Sequence, residues 1–161
     1  VSDGGLRGLR DRIMMMLARG VLRLVYDEPK MQALQVGLLR DETIDRVEHP
    51  QPYGFTAHPH PGAECFMAFP GGARNHGIVL MVDDRRYRIR ALEQGEVMIY
   101  TDEDQDEGGH RIHFKRDRKI EVRAGQEIAL VCGNSSMTLR PDSIRVVTPD
   151  YAAGRTAEEA V

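Results

Sequence analysis

The chain has 161 residues, with 22 Lys plus Arg against 25 Asp plus Glu for a formal charge of −3; 41% of it is hydrophobic, 29% charged and 6% aromatic, with no Trp. That length suits one ordinary domain or two small ones, the charge balance argues against a surface built to neutralise many phosphates, and the apolar fraction argues against wholesale disorder. Cys65 and Cys132 are too few for a disulfide framework or a zinc ribbon, and no apolar run nears the roughly 18 residues that cross a bilayer, so the expectation is a soluble protein made in a reducing cytoplasm.

At the N-terminus, Leu6, Leu9, Ile13, Met16, Leu17, Gly20, Val21 and Leu24 recur at spacings of three and four, with arginines over much of the rest. The spacing predicts an amphipathic helical arm over residues 1–26. Met14, Met15 and Met16 suit adaptable packing, so the arm reads as docking on another protein rather than on a membrane. Gly20 inside the stripe weakens such a helix by about 1 kcal/mol relative to Ala.

Residues 27–101 read as short strands between Gly and Pro clusters: Met31–Leu38, Ala63–Phe69, Asn75–Val82 and Gly95–Thr101. Strands this short, with glycine at the corners, predict an OB-like β-barrel. Residues 102–109, with five acids between Asp102 and Glu107, read as a solvated linker without the spaced ligand pattern of a calcium loop.

Over residues 110–149 the apolar pairs Ile112/Phe114, Ile120/Val122, Ile128/Leu130, Met137/Leu139 and Ile144/Val146 recur, four of them on an eight-residue register. Alternation within each pair predicts a strand with one buried face. Strands so thin cannot bury that face alone, so several chains wound around one axis are expected to share the core. The alternative is a set of extra hairpins on an ordinary antiparallel domain. Residues 150–161 carry no strand pattern.

The sharpest enzymatic pattern is His58, His60 and Glu64, which resembles the first metal-binding motif of cupins and implies iron or manganese held for a metal-dependent reaction. Pro52 stands where that motif has a leading Gly, and Pro59 and Pro61 lack amide donors, so the competing reading is a Pro-rich loop with solvated histidines. His110 and His113 flank Ile112 and are expected on the outer face of their strand, while Cys65 reads as a core position. No nucleophile elbow, P-loop or dinucleotide fingerprint occurs.

Ala68-Phe69-Pro70-Gly71-Gly72, His76 to Leu80, Gly95 to Asp102 and Gly109 to Phe114, in that order behind a Met-rich N-terminus, resemble the baseplate assembly protein V family, the central spikes of contractile-tailed bacteriophages, and within it the Mu-type spikes. The likeness covers about residues 1–149 and is most specific over Gly95–Phe114. It implies a mainly β, non-enzymatic structural protein: a homotrimer whose 110–149 strands form an intertwined β-helix shaft around a core of the five apolar pairs. Leu9, Ile13, Met16, Leu17 and Val21 would dock on the baseplate hub under the tail tube, and the shaft would meet the host outer membrane transiently, with no nucleic-acid partner. The implied location is the tip of the virion's tail baseplate, and the host cytoplasm during assembly. Family members end in an apex where a His-x-His pair from each chain binds iron; His58 and His60 form the one such pair here and lie in the barrel zone, so no cofactor is expected in this chain.

Overall fold

The structure, a computed structural model, describes residues 8–10, 13–28, 30–38, 42–105 and 109–149. The chain forms two compact units, Val1–Arg86 and Tyr87–Val161, and is mainly β with a small helical part. The 150–161 tail and residues 1–7 of the expected arm lie outside the described residues.

The first unit is a closed barrel of five strands: β1 (Leu17–Tyr26), β2 (Ala33–Gly37), β3 (Thr43–Glu48), β4 (Glu64–Ala68) and β5 (Ile78–Asp83), in the order β1-β2-β3-β5-β4. All neighbours are antiparallel except β3 and β5, which meet in parallel at Glu48 and Ile78. Alternate residues point inward, so Leu22, Leu34, Val36, Val47, Cys65, Met67 and Val79 fill the interior together with Ala63 and Phe69. Two short 3₁₀ turns, Pro70–Gly72 and Arg74–His76, carry the chain from β4 toward β5. The Arg74 guanidinium lies over the Phe69 ring there at 4.7 Å.

β1 corrects the expectation of a helical arm over residues 1–26. Among the described residues up to Tyr26, helical backbone is confined to 8–10 and 13–14, and Leu17–Tyr26 is strand. The same residues satisfy both periods: Leu17, Gly20, Val21 and Leu24 fit a helix, while Gly20 and Leu22 fit the inward face of a strand. Barrel closure selects the second, since β1 pairs with β2 on one side and β4 on the other. Gly20 is what permits the fit, because a Cβ there would lie 2.8 Å from the Gly37 carbonyl oxygen and run into the Val36 side chain.

The second unit holds two three-stranded antiparallel sheets. One is β6 (Val97–Tyr100), β7 (Arg111–Lys115) and β8 (Lys119–Arg123), in that order. The other is β9 (Ile128–Cys132), β10 (Ser135–Arg140) and β11 (Ser143–Val147). The strand expected at Gly95–Thr101 as part of the barrel is therefore a correction: β6 pairs with β7, four residues deep. Gly133-Asn134 turns β9 into β10, with Gly133 at φ 54°, the first central position of a primed hairpin turn. Pro141-Asp142 turns β10 into β11.

Residues 102–109 are not merely a solvated linker. Asp102–Gln105 forms a 3₁₀ turn, and the Asp104 side chain is fully buried against Arg111, whose Nη1 donates to both carboxylate oxygens at 3.1 and 3.2 Å. Gly109 packs on this turn, where a Cβ would lie 2.5 Å from the Asp104 Cα and 2.8 Å from the Glu103 carbonyl oxygen.

Candidate functional site

Among the described residues every buried apolar side chain lies between Leu22 and Val79, inside the barrel. The second unit buries none, although its strands are as apolar as those of the barrel. Register explains where that apolar surface goes. Residues directly opposite in an antiparallel pair share a face. Val97 and Ile120 both sit opposite Phe114, and Ile99 and Val122 both sit opposite Ile112. These six side chains form one continuous face of the β6-β7-β8 sheet, and all six are exposed.

The second sheet repeats the arrangement. Ile128 and Ile144 sit opposite Leu139, and Leu130 and Val146 opposite Met137. Leu130, Met137, Ile144 and Val146 are exposed, while Ile128 and Leu139 are half-buried. A row of Cys132, Ser135 and Thr148 ends this face, with the Ser135 hydroxyl 3.1 Å from that of Thr148. The ten residues expected to line a shared core thus fall into two apolar faces, and the single chain covers neither. Val97 and Ile99 belong with them; their alternation is visible in the sequence, but their pairing is not.

The opposite face of the first sheet carries ion pairs made within the chain. Lys115 donates to Glu121, Arg111 holds Asp104, and His113 Nε2 approaches Glu96 Oε2 to 3.2 Å, a contact that becomes an ion pair when the imidazole is protonated. The Glu96 carboxyl is held below the usual carboxylate range, first by the Glu93 amide and then by His113. Glu121 is lowered chiefly by Lys115. His113 is buried, which corrects its reading as a surface histidine; His110 is exposed, near Thr101 and Glu103. The His113 side chain meets Glu96, just ahead of β6, a partner that the local sequence around His113 does not reveal.

On the barrel, Leu9, Ile13, Met16, Leu17 and Val21 are all exposed, and they are joined on the outside by Leu80 and Met81. Leu17 and Val21 belong to a strand rather than to the helical stripe that singled them out. Cys65 is buried, and burial pushes its thiol up to about 11.

His58, His60 and Glu64 are not brought together as a ligand set. No three or more His, Cys, Asp or Glu side chains among the described residues are placed to share a metal ion. The Glu64 carboxylate is taken by Arg19 at 3.2 Å and Arg85 at 2.8 Å, and His58 lies 3.7 Å from Asp27. The polar network nearby is centred instead on Gln32. Its Nε2 donates to Asp27 at 2.7 Å and to the Ala57 carbonyl at 3.0 Å, which turns its Oε1 toward His49 Nδ1 at 2.9 Å. Nδ1 of His49 must therefore carry a proton, and burial lowers the ring's affinity for a second one. These groups border an open cleft of about 440 Å³.

Comparison with known proteins adds three findings. A family described as "Bacteriophage Mu Gp45, N-terminal" matches residues 19–86. The "Baseplate puncturing device gp45" of Escherichia phage Mu is 40% identical over 137 residues, covering 81% of this chain and 67% of that protein. The "Mu-like prophage FluMu protein gp45" of Haemophilus influenzae (strain ATCC 51907 / DSM 11121 / KW20 / Rd) is 33% identical over 92 residues, covering 57% of this chain and 50% of the relative.

Proposed function

Because the chain belongs to the phage Mu Gp45 family of baseplate proteins, we propose that it is the central spike of a contractile tail, working as a homotrimer without enzymatic activity. The observation that carries this reading is the pair of apolar sheet faces in the second unit, eight of whose ten expected core residues are exposed in the single chain. Exposed apolar surface on this scale marks an interaction site. Three chains wound around a common axis would turn the two faces inward as an intertwined β-helix and leave the charge-paired face of the first sheet in water. Axial load would then be spread over many inter-chain hydrogen bonds rather than resting on one core.

In this reading the barrel is the collar, and its closed five-stranded form supports the OB-like assignment. Leu9, Ile13, Met16, Leu17 and Val21 face the hub beneath the tail tube. The shaft meets the host outer membrane when the sheath contracts, and the protein resides at the baseplate tip. The name of the phage Mu relative, a puncturing device, supports that role. The cupin-like alternative finds no support in a ligand set that Arg19 and Arg85 already occupy in part.

Sedimentation of the full chain tests the assembly: the expected mass is that of three chains, and a stable monomer at micromolar concentration overturns it. Val122→Asp or Ile128→Asp is expected to abolish the trimer, because three carboxylates would meet near one axis without partners. Immunogold labelling should find the protein at the baseplate tip of wild-type tails and not in tails carrying Val122→Asp; an unlabelled wild-type tip overturns the spike reading, and normal labelling of the variant overturns the shaft core.

A further inference from the structure

The barrel carries a knob and a hole that do not meet within one chain. The knob is the tip of the loop between β3 and β4. Pro50 and Pro52 restrict φ, the Phe55 amide donates to the Pro52 carbonyl at 3.0 Å, and Gly54 takes φ 86°. The Gln51 side chain clamps Ala57 twice, accepting from its amide at 2.6 Å and donating to its carbonyl at 2.9 Å. Gln51 Nε2 also reaches Gln32 Oε1 at 3.1 Å, which ties the loop to the polar network of the barrel. The result is a preorganised tip that holds Tyr53 fully in water, at 105% relative exposure, and Phe55 at 65%. Rigid aromatics presented this way lose little entropy on binding and are the side chains on which interfaces are anchored.

The hole is a cleft of about 280 Å³ on the outside of the barrel, lined by Leu17, Ala18, Arg19, Phe66, Met67 and Leu80. It lies at the lower edge of the roughly 300–1,000 Å³ of small-molecule sites and is of a size to take an aromatic side chain. The Arg19 guanidinium stands over the Phe66 ring at 5.1 Å and is ion-paired with Glu64. It offers a cation to a second ring, and because Glu64 is shared with Arg85 the positive charge at this rim is only partly neutralised. The tip matches this, since residues 50–57 contain no Asp, Glu, Lys or Arg.

One chain does not join the two. The loop enters β4 at Glu64, whereas the cleft lies where Phe66 to Ala68 pair with Leu17 to Arg19, and the full exposure of Tyr53 leaves its ring unseated. We infer that the Tyr53–Phe55 tip of one copy seats in the Leu17–Phe66–Leu80 cleft of the next copy, giving the barrels their own contact. Two different surfaces meet in this contact, so it is head-to-tail, and in a trimer its repetition about the three-fold axis would close a ring. The inference rests on the trimeric reading above, and it moves Leu17 from the hub-docking set to the contact between copies.

The test is cross-linking of the full chain in a Cys132→Ser background, with Tyr53→Cys and Leu80→Cys combined. Both positions are exposed, Leu80 at 58%, so folding should be retained, and Cys65 is buried away from the reagent. A short bismaleimide is expected to give covalent species up to three chains in the combined variant and none in either single variant. Sedimentation of the unsubstituted chain alongside these samples separates the two readings, its mass being the one that counts. Three-chain mass without inter-chain cross-links overturns the knob contact and leaves the spike reading standing, whereas a monomeric mass overturns both. Independently, Tyr53→Ser with Phe55→Ser should weaken assembly at least tenfold in midpoint concentration; an unchanged midpoint overturns the contact.

Discussion

Leu130 and Val131 are neighbours on β9 with similar exposure in the single chain, 59% and 73%, yet they point to opposite faces of the sheet. Leu130 lies opposite Met137 on the apolar face, and Val131 lies opposite Ser136 on the other. In a lone chain, Leu130→Asp and Val131→Asp are both surface changes, worth within about 0.5 kcal/mol of stability. In a trimer closed over the apolar face they separate. Each buried Leu side chain is worth about 1.5–3 kcal/mol, and each buried carboxylate adds a desolvation penalty of several kcal/mol. Over three copies the loss for Leu130→Asp is on the order of 10 kcal/mol or more, about seven powers of ten in the association constant. Val131→Asp leaves three carboxylates in water and the mass unchanged. Sedimentation at micromolar concentration reads the mass, and circular dichroism checks that both variants keep their strands. Equal behaviour of the two variants, whether both assembled or both dissociated, refutes the assignment of the apolar face as the buried one.

Gly20→Ala should destabilise the barrel by about 1–3 kcal/mol in urea unfolding, because the new Cβ meets the Gly37 carbonyl oxygen at 2.8 Å as well as the Val36 side chain; an unchanged midpoint would contradict the close β1–β2 approach. Phe69→Ala removes a fully buried ring and should cost about 3–5 kcal/mol in the same assay, with a loss under 1 kcal/mol counting against its place in the core. The carboxyls of Glu96 and Glu121 are depressed in the folded state, so their stabilisation is complete above the ordinary value of 4.5 and is lost as pH falls through the lower folded values. Denaturation midpoints of the second unit should therefore drop below about pH 4.5, and a flat profile down to pH 3 would speak against these contacts. Of the two thiols, Cys65 should resist Ellman's reagent in the native protein, since burial raises its thiol to about 11; exposed Cys132 should react in dissociated chains, and rapid reaction of both would contradict the barrel core.

The pairs from Ile112/Phe114 to Ile144/Val146 were legible as strands because alternation is a local property of pleated backbone, and the turns at Gly133-Asn134 and Pro141-Asp142 announce themselves by residue type. Leu17 to Leu24 was ambiguous, since one set of apolar residues fits periods of 3.6 and of two, and the deciding neighbours, Val36 and Gly37, lie far along the chain. The burial of Asp104 and His113 was equally hidden, because each depends on a partner brought in by pairing: Arg111 for one, Glu96 for the other.

The sequence by itself determined the mainly β character, the apolar side of each thin strand and the likeness to tail spike proteins, all of which are carried by short runs of side chains. Tertiary structure decided which strands pair. It made Leu17–Tyr26 a wall of the barrel, gave Val97–Tyr100 to the second unit, and gathered twelve apolar side chains into two uncovered faces. The reason is that side-chain alternation follows from the backbone alone, whereas the choice of pairing partner rests on hydrogen bonds between distant segments and on packing volume of the kind that Gly20 leaves open.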